Sequence, residues 1–286
     1  MLSRGFRSVL KIPVNLKYSQ TFGGIYNRKC SSNTSTDTEI NVTERYDITG
    51  CSVIATSRTS LTAIDDNIMR IVTLNDKQHD YNSISDAIKI DPNCGMLHVL
   101  ALYDHLRLPK KIEDKQNLII KSINTMVKLK KQGDLTLREQ HYLSAWVHWC
   151  RGDYFKASLS FESINSLYPN DTLAMKLAQE SYIANGCNYN SLTCVTRYMA
   201  LISGNHPIRR NLLSILSHGF VESSMYVDAS ETALRCIEMT SHHDLNAISA
   251  QLNSLILNCK GPDASGEIDV CSYITVYIYI YIYITL

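Results

Sequence analysis

The sequence lacks the short motifs by which metal centres, phosphate-binding loops and covalent enzymes are usually recognised. Its nine cysteines are odd in number and scattered, and no two of them form a C-x-x-C pair. A disulfide framework or a zinc site would require closer spacing, so we expect free thiols in a reducing, intracellular compartment. No predicted strand leads into a glycine-rich loop, and Gly186 and Gly204 are predicted to end helices. These absences predict a protein without a cofactor.

An excess of either charge is also missing. The chain has 28 Lys and Arg against 27 Asp and Glu, which gives a formal net charge of +1. Such a balance provides no extended positive field for nucleic acid or for an anionic membrane surface. With 45% apolar residues, the 286-residue chain can still bury a sizeable core. We therefore expect a globular protein without a nucleic-acid partner.

Acidic residues are absent from residues 1–36, which carry six basic ones. This bias is typical of a mitochondrial transit peptide. A helix over the segment would place Leu2 and Phe6 on one face and Arg4 on another. A disordered basic arm is the alternative, so the predicted localisation is cytoplasmic or mitochondrial. Residues 37–58 are predicted to form a linker.

A helical period is what the sequence does contain, and it is clearest in the middle of the chain. Thr136 and Glu139 have the spacing of a capping box, which predicts a helix from Leu137 to about Arg151. Gly152 then ends it. The sequence thus predicts one well-defined helix followed by a tight turn.

The next helix has the spacing of the second half of a tetratricopeptide repeat. Ala157 precedes Phe161 by four residues, and Pro169 follows Phe161 by eight. A small residue at Ala157 allows close approach of the two helices, Phe161 fills the groove beside it, and Pro169 ends the second helix. The same spacing recurs further along, where Tyr226, Ala229, Ala233 and Cys236 correspond to Tyr154, Ala157, Phe161 and Ile164.

Apolar residues at helical spacing predict about eleven helices in antiparallel pairs and no sheet between residues 59 and 258. The first begins near Thr59, with Ser60 as its candidate cap. The predicted fold is an all-α solenoid of tetratricopeptide-like hairpins over residues 59–260, with a disordered N-terminal arm. The second predicted helix begins near residue 82. The others cover 96–106, 113–131, 137–151, 154 to just before Pro169, 172–184, 191–202, 209–221, 227–239 and 244–258.

Residues 261–286 have a different composition. From Tyr273 onward tyrosine and isoleucine largely alternate over fourteen residues without a charge or a proline. An exposed strand of this kind invites aggregation, and it is too short for a helical membrane span of about 20 residues. A TA dinucleotide tract would encode the alternation. We interpret this low-complexity tail as a read-through or gene-model end, and no stable membrane span is predicted.

Three segments carry a resemblance to a known family. They are AIKIDPNCGMLHVLALYDHL (87–106), LTLREQHYLSAWVHWCRGDYFKASLSFESINSLYPNDTLAMKLAQESYIANG (135–186) and DASETALRCIEM (228–239). Over about residues 50–258 the chain resembles the tetratricopeptide repeat protein 38 family. The resemblance implies an all-helical repeat protein without an established reaction. It also implies a longer solenoid, of which this chain is expected to lack the second half, and Ser249 and Asn253 stand where the family has histidines.

Two histidine pairs and one cysteine are candidate chemical sites. His98 and His105 are seven residues apart on one predicted helix, as are His141 and His148 on another. Two helical turns separate such residues by about 10.5 Å, too far for one metal ion, so core packing and no metal are expected. Cys150 adjoins an arginine, yet no base can be placed beside it, and a buried inert thiol is the preferred interpretation.

An aromatic cluster on the predicted helix 137–151 is the candidate binding site. Tyr142, Trp146 and Trp149 share one face, which in stacked repeats lines the concave groove. Aromatic and arginine side chains are typical of interaction hot spots. The alternative is that an adjacent helix covers these tryptophans. Neighbouring first helices would add Tyr103, Arg107, Lys176 and Glu180 to the groove.

The predicted function follows from this groove. We expect a non-enzymatic repeat scaffold that binds a protein or peptide partner, and its oligomeric state is left open. The alternative is a helical-repeat enzyme, or enzyme subunit, of unknown substrate.

Overall fold

The computed structural model describes residues 44–73, 83–107, 112–202 and 209–239, and these are predominantly helical. This confirms the all-α class. The predicted helix at 244–258, the N-terminal arm and the Tyr/Ile tail lie outside the described residues. Within the described ranges there are ten helices and one two-stranded sheet. The helices are α1 Arg58–Thr73, α2 Ser83–Ile90, α3 Gly95–Arg107, α4 Ile112–Gln132, α5 Leu137–Cys150, α6 Tyr154–Leu167, α7 Thr172–Ala184, α8 Asn188–Met199, α9 Arg209–Glu222 and α10 Tyr226–Met239.

Side-chain caps begin the central helices where the sequence predicts them. Thr136 Oγ1 accepts from the amide of Glu139, and Glu139 Oε2 accepts from the amide of Thr136, so the capping box of α5 is complete. Asp171 caps α7 through a single bond, in which its carboxylate accepts from the amide of Ala174. Helix α1 begins at Arg58, one residue before the predicted start. The predicted cap Ser60 is wrong by three residues, because Ser57 is the capping side chain and its Oγ accepts from the Ser60 amide at 2.9 Å.

The second helices of three consecutive hairpins share one pattern of burial. The positions equivalent to Ala157, Phe161 and Ile164 are fully or nearly fully buried in α8 and α10 as well as in α6. The offset from α6 to α8 is 34 residues, so α8 begins at Asn188, three residues before the predicted start. In α8 the small position is a serine, Ser191, where α6 has an alanine. The repeat spacing was therefore not recognised in α8 from the sequence. The three sets are Ala157, Phe161, Ile164; Ser191, Val195, Tyr198; and Ala229, Ala233, Cys236.

From α2 to α10 each helix packs against the next one along the chain, but α1 does not follow this order. Besides α2, it contacts α3, α7 and α9, which are the first helices of three different hairpins. Ile64, Ile68 and Ile71 lie on the buried side of α1. A buried ion pair between Arg70 and Asp104 joins α1 to α3. The helix therefore lies across the array as part of its core.

The predicted linker at 37–58 is wrong for its second half. Residues Glu44–Tyr46 (β1) and Ser52–Ile54 (β2) form an antiparallel hairpin with Arg45 opposite Val53. The turn is closed by a hydrogen bond from the Gly50 amide to the Asp47 carbonyl at 2.8 Å, and Gly50 has a φ of +76° that suits glycine. The polar composition of the segment led to the linker prediction. Its Asp-x-x-Gly turn, which lies between β-branched and aromatic residues, is the local signal for a hairpin.

Two carboxylates outside the hairpin fix it to the helices. Asp65 of α1 accepts from the Ile48 amide at 2.7 Å, and Asp91, before α3, accepts from the Thr56 amide at 2.7 Å. Within the described part of the chain, no helix is both long and apolar enough to cross a bilayer.

Candidate functional site

The aromatic cluster predicted to line a groove lies in the protein interior. Tyr142 and Trp146 are buried, and Trp149 is half-buried. The Trp146 ring meets the edges of Phe161 and Trp149 at centroid distances of 5.6 and 6.0 Å. Trp149 in turn packs against Tyr154 at 5.0 Å. The cluster is therefore the contact between α5 and α6, as the packing alternative predicts, and Tyr142 and Trp146 do not offer a binding surface.

The other predicted groove residues are on α3 and α7. Tyr103 and Lys176 are buried, and Lys176 Nζ lies 3.6 Å from Oε1 of the half-buried Glu180. Arg107 is the last residue of α3, and its side chain lies outside the described residues. The prediction of an open groove at Tyr103 and Lys176 is wrong because α1 packs against the helices that carry them.

Displacing α1 to open this side would be unfavourable. Its three buried isoleucines, Ile64, Ile68 and Ile71, are almost inaccessible to solvent. Burial of each stabilises the fold by roughly 1.5–3 kcal/mol, so the three contribute roughly 5–9 kcal/mol. A partner helix would have to replace all of that contact. We conclude that α1 is a structural element and that a partner surface must be sought elsewhere.

The guanidinium of Arg138, in the first turn of α5, is fully buried between two carboxylates. Its Nη1 donates to Asp47 Oδ2 at 2.6 Å, and its Nε donates to Asp171 Oδ2 at 2.7 Å. Asp47 begins the turn of the β-hairpin, and Asp171 caps α7. One side chain thus joins three separate parts of the chain.

The remaining oxygens of the two carboxylates are also hydrogen-bonded. Asp47 Oδ1 accepts from the amide of Thr49 at 2.9 Å. Asp171 Oδ1 accepts from the amide of Ala174 at 3.1 Å and from the phenol of Tyr142 at 2.9 Å. Tyr142 can therefore lie in the interior despite its hydroxyl, because the phenol has a buried acceptor in Asp171.

Electrostatics hold these groups in one protonation state. Burial by itself would lower the pKa of Arg138, but the carboxylates of Asp171 and Asp47 outweigh it and hold that pKa above its ordinary value. Burial, together with the neighbouring Asp171 carboxylate, raises the pKa of Tyr142. The guanidinium stays charged and the phenol stays neutral, so the cluster is suited to holding structure together and not to transferring protons.

Sequence reasoning missed the role of Arg138, although two signals for it exist. A cation in the first turn of a helix is opposed by the helix dipole, so Arg138 at that place in α5 requires an acidic partner. Asp171 directly precedes the predicted helix 172–184, where a capping side chain is expected, and the Asp47-x-x-Gly50 spacing indicates a turn. No local pattern indicates that the three residues meet, because Asp47 and Arg138 are 91 positions apart.

The histidines do not assemble around a common point. His98 is buried and its Nε2 lies 2.9 Å from the carbonyl oxygen of Pro92, while burial lowers its pKa. His141 and His148 are half-buried, and burial lowers the pKa of each. In the described ranges, no group of three or more His, Cys, Asp or Glu residues is placed to hold a metal ion.

An exposed apolar surface on the second helices is a candidate that sequence reasoning did not identify. Phe155 and Tyr189 are 41% and 74% exposed, and both are the second residue of their helices, α6 and α8. Leu159, 44% exposed, lies one turn after Phe155. We call Phe155, Leu159 and Tyr189 the α6–α8 face. The 34-residue offset between Phe155 and Tyr189 was the available signal.

Side-chain contacts between α6 and α8 hold the two helices that carry this face in place relative to each other. Arg197 of α8 donates to Glu162 of α6 at 3.2 Å, and the Tyr198 hydroxyl lies 3.0 Å from Ser166 Oγ. Beneath the face, the ring of Tyr182 from α7 packs edge-on against Phe155 at 6.1 Å. Aromatic and charged side chains are thus presented on a supported surface.

No protein-family model matches the chain, and no solved structure matches it. The candidate surfaces are therefore interpreted from their own geometry.

The interior position of Trp146 predicts a large effect on stability. Trp146→Ala should lower the free energy of unfolding by about 3–5 kcal/mol, because it removes the ring that packs against Phe161 and Trp149. Urea denaturation of the purified chain measures this. The control Tyr189→Ala, on the α6–α8 face, should change it by about 0.5 kcal/mol or less. A Trp146→Ala protein as stable as the control would show that the ring is not part of the core.

Burial also predicts which cysteines react. Burial raises the pKa of Cys94, Cys150 and Cys194 to about 12, so thiolate is almost absent at neutral pH. Brief maleimide treatment of the folded chain at about pH 7.5 should label the half-buried Cys187 and leave these three unmodified, as read by peptide mass spectrometry. All four should react after denaturation. Labelling of Cys150 as fast as Cys187 in the folded chain would contradict the assignment.

Proposed function

We propose that this chain is a non-enzymatic helical-repeat scaffold that binds a protein partner on the α6–α8 face. The observation that carries the proposal is the repeated exposure of an aromatic side chain at the same position of two consecutive second helices, Phe155 and Tyr189. Isolated exposed apolar residues are common on proteins, but repetition at equivalent positions forms a row.

The repeat architecture supports the proposal. The buried sets of α6 and α8 recur at 34 residues, the length of one tetratricopeptide repeat, and that of α10 follows 38 residues later. Each helix from α3 to α9 packs against the next one along the chain, which agrees with stacked hairpins. Together with the quoted segments, this favours a tetratricopeptide-like solenoid related to the tetratricopeptide repeat protein 38 family. Proteins of this architecture present extended surfaces to other chains.

The chemistry of the face supports a protein partner. Phe155 and Tyr189 supply large rigid contact areas, and Arg197 beside Glu162 supplies a charged pair at the rim. The side on which α3, α7 and α9 meet α1 is occupied by this chain's own helix, which favours a partner site on the second helices over the predicted concave groove.

A two-stage experiment tests the proposal. The full chain, tagged at its gene and expressed at natural level, is cross-linked in cells, and the cross-linked peptides are mapped by mass spectrometry. A partner whose cross-links fall next to the α6–α8 face is then purified. Phe155→Glu combined with Tyr189→Glu should weaken its binding by about 30-fold or more, equivalent to about 2 kcal/mol, with little change in melting temperature.

The matched control is Tyr46→Glu, an exposed aromatic residue on β1. This variant should bind the partner as the unmodified chain does. Equal binding by the Phe155→Glu/Tyr189→Glu protein and the unmodified chain, or cross-links confined to other surfaces, would contradict the proposal.

A further inference from the structure

The exposed side of α4 carries a row of lysine side chains. Lys121, Lys128 and Lys131 are all exposed, and their spacing of seven and three residues places them on one side of the helix. Asn124, also exposed, lies on the same side between Lys121 and Lys128, and Met126 on the opposite side is buried. We call Lys121, Lys128 and Lys131 the α4 lysine stripe.

The stripe is a local excess of positive charge on a chain whose formal net charge is only +1. From residue 115 to residue 132, α4 has five lysines and no acidic residue. Lysine and arginine side chains on α6 and α8 are paired, as Lys156 is with Asp153 and Arg197 with Glu162. Within the described part of the chain, no such ion pair involves the stripe.

The helix dipole accounts for only part of this pattern. Cations are favoured in the last turn of a helix, where Lys130 and Lys131 lie, and acidic residues in the first turn, where Glu113 and Asp114 stand. Lys121, however, lies eleven residues before the end of α4. The dipole effect is confined to the first and last turns, so it does not explain the stripe as a whole.

We propose that the α4 lysine stripe binds an acidic helical segment of a partner protein. Glutamates at positions i, i+7 and i+10 of such a helix match the lysine spacing, and ten residues of helix span about 15 Å on both sides. Ile120, 38% exposed beside the stripe, adds an apolar contact, and the amide of Asn124 adds a hydrogen-bonding group. The stripe and the α6–α8 face lie on different helices, so this proposal does not rest on the proposed function.

The size of the stripe favours a protein segment over other polyanions. Binding to duplex nucleic acid by charge commonly uses about six or more phosphate contacts, which three lysines do not supply. The stripe also lacks an aromatic side chain on which single-stranded bases could stack. An anionic bilayer is held by a larger basic cluster or by an apolar face that inserts, and Ile120 offers little apolar area. Three charge pairs along one helix are enough to orient a helical peptide.

Fluorescence anisotropy with a designed peptide tests the proposal. The probe is a fluorescein-labelled helical peptide with glutamate at positions i, i+7 and i+10 and uncharged residues elsewhere, titrated with the full chain at low salt. We expect binding that weakens as salt is added. The change Lys121→Gln/Lys128→Gln/Lys131→Gln should weaken it by about tenfold or more, because three exposed charge pairs are lost. Arginine at the same three positions should retain binding.

Two control variants separate this surface from others. Arg58→Gln/Lys89→Gln/Arg235→Gln removes the same charge from exposed positions on α1, α2 and α10 and should bind the peptide as the unmodified chain does. The Phe155→Glu/Tyr189→Glu chain should also bind it unchanged, so failure of the α6–α8 face and failure of the stripe are distinguishable. Equal melting temperatures of the glutamine variant and the unmodified chain verify that α4 remains folded.

A charge-reversal pair gives a readout that a merely structural role would not produce. Lys121→Glu/Lys128→Glu should abolish binding of the glutamate peptide and create binding of the same peptide with lysine in place of glutamate. Absence of this recovery would overturn the proposal, as would equal binding of the glutamate peptide by the glutamine variant and the unmodified chain. Tighter binding of phosphatidylserine vesicles or of a single-stranded oligonucleotide through the same lysines would also overturn it.

Discussion

The structure depends on the buried ion cluster in which Arg138 lies between Asp47 and Asp171. A charge so deeply buried is tolerated only because it is paired and hydrogen-bonded on both sides. Removing one member of such a cluster leaves an uncompensated charge and typically costs about 3–5 kcal/mol. Because Asp47 belongs to the β-hairpin and Asp171 to the start of α7, the cluster decides how the N-terminal segment is placed on the helices.

That placement determines which surfaces are available for function. The hairpin leads directly into α1, and α1 lies across α3, α7 and α9 and buries the side that stacked hairpins would otherwise leave open. Tyr103 and Lys176 are consequently interior residues. The exposed aromatic row on α6 and α8 faces solvent on the second helices. The scaffold is therefore proposed to bind through its outer face.

Local patterns predicted the helices well and their surroundings poorly. The capping box at Thr136 and the cap at Asp171 place α5 and α7 almost to the residue, because the physical cause is within one turn of chain. Helical spacing also places Tyr142 and Trp146 on one face, but it carries no information about which helix covers that face. The contact between the hairpin at 44–54 and Arg138 joins residues far apart in sequence, and a local hydrophobic pattern cannot predict such a contact.

Hydrogen exchange in an Asp47→Asn protein tests most directly whether the cluster holds the N-terminal segment in place. An asparagine has one acceptor oxygen where Asp47 uses two, for the Thr49 amide and for Arg138, while the Arg138–Asp171 pair remains. We predict that amides of residues 44–73 exchange at least about tenfold faster and that those of α5 to α7 stay protected. The exposed Asp66→Asn change on α1 is the control and should leave exchange unaltered. Unchanged protection of residues 44–73 in the Asp47→Asn protein would contradict the account.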